Sequence, residues 1–236
     1  MSLRKIGILG GMGPEATVLF MQKTLAAVPA RDDVDHIPLL VDQNPQVPSR
    51  IRHLIEKRGE SPAPVLAAMA RGLEVAGAEA LAMPCNTAHH YAPDIRSAVA
   101  IPFIDMVALA ADRALEQAGA GGRVGILASP ATRLVGLFDQ VLAARGLEAV
   151  YPARDEDALA IIRRIKAGDL GAETRAALRA LSSGLLERDA EVQMIACTEF
   201  SLIPDAVDPR ARCFDTLDLL VDAVVGFSRS TPDDRS

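Results

Sequence analysis

The sequence has few aromatic side chains, which make up 3% of its 236 residues, and it has no tryptophan. Half of the residues are hydrophobic, so the core must consist mainly of alanine, leucine, valine and isoleucine. The net charge is −6 and no basic stripe is visible, which argues against a nucleic-acid surface. The apolar segment near the start is short and interrupted by glycines and Pro14, so we expect no signal peptide, no membrane span and a cytoplasmic location.

Cysteine is scarce as well: the chain contains Cys85, Cys197 and Cys213. In the reducing cytosol these side chains should remain thiols. Three cysteines are too few for a disulfide scaffold. The sequence also lacks a CxxC pair, which would indicate a redox or zinc site. Each cysteine is therefore expected to be either a packing residue or a reactive thiol.

Short apolar segments alternate with segments of helical periodicity, and glycines and prolines separate them. Strands that alternate with helices indicate parallel sheets covered by helices on both faces. The strands predicted in the first half are at 4–10, 37–41 and 79–84, with a proline-containing loop at 42–50. Residues 11–28 are predicted to form a glycine turn into a helix with Pro14 at its first position, and a second helix is predicted at 64–77.

This pattern repeats in the second half of the chain. The first strand, KIGILGG, is echoed by RVGILAS, and GLEVAGAEALAMPCNT (72–87) is echoed by GLLERDAEVQMIACTE (184–199). We therefore predict an α/β fold of two similar lobes, each a parallel sheet flanked by helices, related by a rough twofold. The expected boundaries assign residues 1–103 and 213–236 to the first lobe and residues 104–212 to the second.

The repeat aligns Cys85 with Cys197, and both follow a predicted strand. Ligands bind at the carboxyl ends of parallel strands, so the two thiols should face each other across a cleft between the lobes. Asn86-Thr87 and Thr198-Glu199 should open helices, whose free N–H groups favour anions and lower the pKa of a nearby thiol. A single cysteine at a strand end is often only a small buried hydrophobe. Two at matching positions favour a reactive site, whereas Cys213 has no counterpart and is predicted to be structural.

Two thiols on opposite sides of one carbon atom suggest a specific reaction. One thiolate removes the α-proton of a carboxylic acid, and the other thiol delivers a proton from the opposite face, so that the configuration inverts. A carbon next to a carboxylate is a weak acid, so fixed donors and positive charge must stabilise the enolate-like state in a closed, dry site.

At these residues the chain resembles the aspartate/glutamate racemase family of cofactor-independent racemases with a cysteine pair, and most closely its aspartate racemase branch. The resemblance spans nearly the whole chain through IGILGGMGPEAT, NPQVPSR, MPCNTAH, IKAGDL and ACTEFSLI. It implies that Cys85 and Cys197 interconvert L- and D-aspartate, and also glutamate, without a cofactor or metal. It also implies a small dicarboxylic amino acid as substrate and a homodimer.

The resemblance further implies substrate-binding roles. Arg50 would grip the side-chain carboxylate with two parallel hydrogen bonds, although the residues alone favour a solvated charge there. Lys166, one of only four lysines beside 21 arginines, would be a second cation. Glu199 would bind the ammonium group or orient a thiol. The other implied binding residues either line the pocket or hold the α-carboxylate or ammonium group: Met12, Gln46, Asn86, Thr87 and Thr198.

Other functions remain open at this point. The run GGMGPEA fits a dinucleotide-binding fingerprint, but the acidic residue expected about 20 residues later is missing. Cys85 and His89 stand four residues apart, as metal ligands do, with His90 as a third donor. A hydantoin racemase, a maleate isomerase or a decarboxylase would share the scaffold. A two-lobed protein that binds a dicarboxylate without reaction would need Arg50 but no thiols.

Overall fold

The computed structural model describes residues 3–230, which form eight strands and a set of flanking helices. The strands are β1 (Ile6–Gly10), β2 (Leu39–Gln43), β3 (Ala80–Ala82), β4 (Phe103–Ile104), β5 (Arg123–Ala128), β6 (Glu148–Val150), β7 (Val192–Ala196) and β8 (Arg212–Asp215). The α-helices in this range are α1 (Pro14–Ala26), α2 (Ala63–Val75), α3 (Ala92–Ala98), α4 (Met106–Ala118), α5 (Pro130–Leu134), α6 (Leu137–Ala143), α7 (Asp155–Lys166), α8 (Ala172–Leu186) and α9 (Thr216–Arg229). None of these helices combines the length and the apolar character needed to cross a membrane.

The strands form two separate parallel sheets with the same topology. The order is β2-β1-β3-β4 in the first sheet and β6-β5-β7-β8 in the second. Strands β1 and β7 lie inside their sheets and are buried at every residue, as expected for strands covered by helices on both faces. The α/β fold of two similar lobes predicted from the repeat is confirmed.

Polar side chains and proline start the helices that follow the strands. Pro14 occupies the first turn of α1, where a missing N–H costs nothing. Asp105 accepts hydrogen bonds from backbone N–H groups at the start of α4, and Asp215 does the same for α9. Ser129 caps α5 through the N–H of Thr132. These caps place four helix starts next to the carboxyl ends of the strands.

The last strand and the last helix of the described residues contact different lobes. Strand β8 pairs with β7 in the second sheet, whereas the expected boundary assigned residues 213–236 to the first lobe. Helix α9 then packs on the first lobe, where its apolar face joins the core around Ile6, Ile8 and Phe20. Ser228 near its end exchanges hydrogen bonds with the backbone of Arg4. Strand β8 thus extends the second sheet and α9 packs on the first lobe. The assignment of residues to the two lobes stays a prediction, and its last six residues, 231–236, lie outside the described residues.

The echoed glycines of the repeat lie where a helix approaches a central strand closely. A Cβ atom on Gly7 of β1 would lie 2.8 Å from Leu81 Cδ2 and 2.9 Å from Ala78 Cβ. A Cβ on Gly125 of β5 would lie 2.9 Å from Gln193 Cγ. Both contacts are shorter than packed side chains tolerate, so glycine is required for the same steric reason in each lobe.

We expect Gly7→Ala to destabilise the protein by about 1–3 kcal/mol, because the added methyl group overpacks the core between β1 and α2. Gly72→Ala is the matched control, since Gly72 lies within α2 and a Cβ there meets no atom within 4 Å. That control should stabilise the protein by about 0.5–1 kcal/mol through helix propensity. Chemical denaturation of both variants measures the difference. Equal stability of the two variants would refute the close-packing explanation.

Candidate active site

A cleft of about 310 Å³ opens at the carboxyl ends of the strands. It is lined by residues from the segments that follow the strands of both sheets. This is where parallel α/β sheets place their ligands. Its lining residues are Gly11, Met12, Gly13, Pro14, Pro45, Val47, Ser49, Arg50, Ile51, Cys85, Thr87, Ser129, Ile162, Lys166, Cys197 and Glu199.

Both predicted thiols reach this cleft. Cys85 follows β3 and Cys197 follows β7, so each stands at the end of the corresponding strand of its own sheet. Both are free and buried. Cys213 lies on β8 and is not among the residues that line the cleft.

The environment of the thiols differs from the expectation in one respect. The segments that follow them are single tight turns, Thr87–Tyr91 and Phe200–Leu202, rather than long helices. Burial raises the pKa of Cys85, and it raises the pKa of Cys197 further. The expected lowering by helix starts is therefore outweighed, since backbone N–H groups from the turns lower each pKa only in part.

Cys197 belongs to a chain of polar contacts with two charged residues. Its thiol donates to Glu199 Oε2 at 3.0 Å, and Glu199 Oε1 forms an ion pair with Lys166. The carboxylate contributes to the high pKa of Cys197, after burial itself. Burial disfavours the charged form of Lys166, but Glu199 raises the pKa of this ammonium group above its ordinary value. The arrangement keeps Cys197 protonated while the cleft holds no ligand.

Cys85 has a positively charged neighbour instead. After burial, the main influence on its pKa is the Arg50 guanidinium, which lowers it. Arg50 is brought here because Gly11, at φ 89°, lets the Asn44 backbone pass where a Cβ would overlap it. Arg50 Nη1 donates to the carbonyl oxygens of Val47 (3.4 Å) and Pro48 (3.1 Å), so its guanidinium is held by its own loop.

Three hydroxyl groups form a ring between the lobes. Thr87 Oγ1 lies 2.9 Å from both Ser129 Oγ and Thr132 Oγ1, and the last two lie 3.1 Å apart. Each hydroxyl has one hydrogen to donate, so a closed ring uses all three donors and leaves lone pairs as acceptors. Sequence reasoning missed Ser129 and Thr132, although Ser129 occupies the place of Gly11 in the echoed strand.

The remaining predicted binding residues are distributed unevenly. Met12 lines the cleft, whereas Gln46 is exposed and is not among the lining residues. Asn86 and Thr198 are buried and do not line it either. Asn86 Nδ2 donates to Thr216 Oγ1 at 3.0 Å, and its Oδ1 has no hydrogen-bond partner among residues 3–230. The structure thus assembles seven of the ten predicted side chains around one space.

The geometry gives no support to the metal alternative. Both ring nitrogens of His89 are hydrogen bonded to backbone groups, and His90 is exposed. No three His, Cys, Asp or Glu side chains in the described part of the chain converge as metal ligands.

Glu199→Gln is expected to accelerate alkylation of Cys197 by iodoacetamide at pH 8 by about tenfold. The substitution removes the anion beside the sulfur, so the pKa of the Cys197 thiol falls and more thiolate is present. Peptide mass spectrometry measures Cys85 in the same sample, and Cys85 should change less. Glu15→Gln, which removes a carboxylate near Gly13 but leaves the Cys197 bond intact, is the control. Unchanged reactivity of Cys197 would contradict this account.

The chain is similar to known racemases along most of its length. The chain is similar to an aspartate racemase from Picrophilus torridus, with 27% identity and a TM-score of 0.82 over 95% of this chain and 94% of that one. It is 25% identical over 225 residues to the broad specificity amino-acid racemase RacX of Bacillus subtilis, covering 93% of this chain and 96% of the relative.

A glutamate racemase from Francisella tularensis, solved with D-glutamate, shares the fold at 16% identity and a TM-score of 0.67, over 96% of this chain and 81% of that one. The family model described as Asp/Glu/Hydantoin racemase matches residues 9–224, which is most of the sequence. The chain therefore belongs to the Asp/Glu/Hydantoin racemase family of isomerases.

Proposed function

We propose that this protein interconverts L- and D-aspartate, and also glutamate, without pyridoxal phosphate, using Cys85 and Cys197 as the two acid–base groups. The observation that carries the proposal is the meeting of both strand-end thiols in one cleft that also contains Arg50 and Lys166. The aspartate racemase of Picrophilus torridus, which this chain resembles along nearly its whole length, supports aspartate as the substrate.

The proposed reaction moves two protons and no other atoms. The thiolate of one cysteine takes the α-proton, and the electron pair of the C–H bond passes into an enolate of the α-carboxylate. The other thiol protonates the α-carbon from the opposite face and becomes the thiolate. The reverse reaction exchanges the roles, and solvent exchange restores the starting protonation state. Because the thiols carry the protons and fixed charges stabilise the enolate, no step requires an electron sink.

Forming the thiolate is the difficult part, because burial raises the pKa of both thiols. The Arg50 and Lys166 charges both lower the pKa of Cys85, and Lys166 also lowers that of Cys197. In a cleft from which substrate displaces water, these cations act at low dielectric and offset much of the cost. The same cations would stabilise the negative charge that develops on the substrate.

We assign the substrate groups to the cleft as follows. Arg50 leaves the carbonyls of its own loop and binds the side-chain carboxylate with two hydrogen bonds. Lys166 provides the second positive charge, and Glu199 orients the Cys197 thiol. Thr87, which lines the cleft, offers an acceptor to the ammonium group. Asn86 is buried outside the cleft lining and keeps only the role implied by the resemblance. Met12 closes the apolar side, while Thr198 and Gln46 keep only the roles implied by the resemblance.

Aspartate and glutamate differ by one methylene group, which is worth only about 1–3 kcal/mol of discrimination. The proposal therefore includes both substrates, with aspartate preferred. A homodimer and a cytoplasmic location are also part of it, and they rest on the resemblance and on composition. Hydantoin racemase, maleate isomerase and decarboxylase activities act on other substrates, and none of them would produce deuterated D-aspartate in the assay below.

Incubation with L-aspartate in D2O should produce D-aspartate that carries deuterium at Cα, as measured by NMR and chiral chromatography. Cys85→Ala and Cys197→Ala should each lower the rate at least about 1000-fold, because each removes an obligatory proton carrier. Cys213→Ala is the matched control and should keep full activity. If the wild type binds aspartate without exchange and both variants bind it equally well, the protein is a binding protein and the racemase proposal is wrong.

Arg50→Lys should lower kcat/KM for aspartate by about 10- to 100-fold, because an ammonium group cannot reproduce two parallel hydrogen bonds to a carboxylate. Arg52→Lys, on the next exposed turn of the same segment, should leave kcat/KM within about twofold. Steady-state racemisation assays with both enantiomers measure the effect. Equal kinetics of the two variants would show that Arg50 does not hold the substrate.

A further inference from the structure

His89 is a buried side chain in the turn after Cys85 for which the proposed reaction provides no role. Its Nδ1 lies 2.8 Å from the Cys85 carbonyl oxygen, and its Nε2 lies 3.2 Å from the Met106 backbone nitrogen. A backbone N–H only donates, so Nε2 must carry a lone pair and Nδ1 must carry the hydrogen. The hydrogen bonds therefore define one neutral tautomer, in which the ring donates to the Cys85 carbonyl and accepts from the first residue of α4.

The electrostatic surroundings agree with a neutral ring. Burial lowers the pKa of His89, while Asp105 raises it and Arg96 lowers it. Protonation of Nε2 would turn it from an acceptor into a donor that faces the Met106 N–H. It would also place a positive charge at the positive end of α4, which is electrostatically unfavourable. The ring thus remains an acceptor at one nitrogen and a donor at the other.

The hydrogen bond from the His89 ring to the Cys85 carbonyl oxygen determines the shape of the turn that follows Cys85. With its carbonyl oxygen held by the ring, the peptide after Cys85 has one orientation, and the Ala88 N–H faces the sulfur and lowers its pKa. The His89 backbone N–H also closes the turn by donating to Asn86 O at 3.0 Å. A side chain of one residue therefore fixes both the thiol and the N–H group that assists its ionisation.

The second lobe builds the matching turn without a histidine. The Cys197 carbonyl accepts from the Phe200 backbone N–H at 2.8 Å. In the ungapped alignment of the repeat, the position of His89 is occupied by Ser201, which donates to Asp215, the cap of α9. Both lobes tie the thiol turn to the start of the helix that follows the next strand, α4 or α9, but only the first does so through the carbonyl of the cysteine.

We propose that His89 is a positioning residue for Cys85, which holds the Cys85 carbonyl against the start of α4 and so aligns this thiol, and not Cys197, with the cleft. Its effect on racemisation rests on the proposed function. Its effect on the thiol does not, because alkylation reports on Cys85 without any substrate.

The test compares His89→Leu, which removes the donor, with His89→Asn, whose amide nitrogen can take the place of Nδ1. His90→Leu is the matched control, because His90 is the exposed neighbour. Iodoacetamide alkylation is followed by mass spectrometry at Cys85 and Cys197 between pH 6 and 10. In His89→Leu, Cys85 should react about tenfold more slowly at pH 8, with its midpoint moved to higher pH, while Cys197 keeps its profile. His89→Asn should restore Cys85 to within about threefold.

In the racemase assay, His89→Leu should lower kcat about tenfold or more with KM within about threefold, and His89→Asn should recover most of kcat. A His89→Leu variant that melts like the wild type and keeps the wild-type Cys85 profile would overturn the proposal. If the His89→Leu variant does not fold, His89→Gln is used in its place, because the glutamine amide extends toward the position of Nε2 rather than Nδ1. Identical Cys85 alkylation profiles in the Asn and Gln variants would then overturn the proposal. A wild type without racemase activity would refute the proposed function while leaving the alkylation result to decide on His89.

Discussion

Burial of two thiols at the ends of two parallel sheets is the constraint on which the site depends. The cleft exists because each sheet directs the carboxyl ends of its strands toward it, and the central strands are buried on both faces. Burial opposes ionisation of Cys85 and Cys197, yet proton transfer from carbon needs a thiolate. Arg50, Lys166 and the N–H groups of the turns offset part of this cost, whereas the Glu199 carboxylate adds to it.

The free-energy cost of ionising the thiol is affected differently in the two lobes, although they share one topology. Cys85 is approached by the Arg50 guanidinium and by the N–H of its own turn. Cys197 instead donates to Glu199, which is paired with Lys166. At rest the second thiol is therefore the more firmly protonated of the two, and the first is the site where negative charge is less costly. The two similar lobes thus differ in the resting state of their thiols, whereas the proposed reaction requires each thiol in both roles.

The parts of this structure that the sequence predicts are those governed by short-range patterns. Strand ends, glycine-marked close approaches and the matching cysteines follow from periodicity and from residue size, so the two lobes and Cys85 and Cys197 were predictable. The hydroxyl ring was not, because Ser129 and Thr132 meet Thr87 only after the lobes pack together. The pairing of β8 with β7 depends on which sheet leaves a strand edge free for it, and no local sequence pattern contains that information. Gln46 is exposed in the turn after β2, where Pro45 and Val47 line the cleft, so its role in substrate binding stays a prediction.

Substrate choice should follow from how the two lobes share the ligand. Arg50 comes from the loop after β2, whereas Lys166 ends α7 of the second lobe, so a dicarboxylate is the ligand whose two anionic groups both find a cation. Both cations are occupied by the protein's own oxygens at present, Arg50 by loop carbonyls and Lys166 by Glu199. On binding, the ligand carboxylates would therefore replace the protein oxygens that now contact the two cations. A ligand with one carboxylate could replace those oxygens at only one of the two cations. The distance from the Arg50 loop to the thiols then selects side-chain length, since that loop is held at its base by the close passage of Asn44 over Gly11. Specificity for aspartate or glutamate would accordingly be set in the loop, and the acid–base chemistry in the strands.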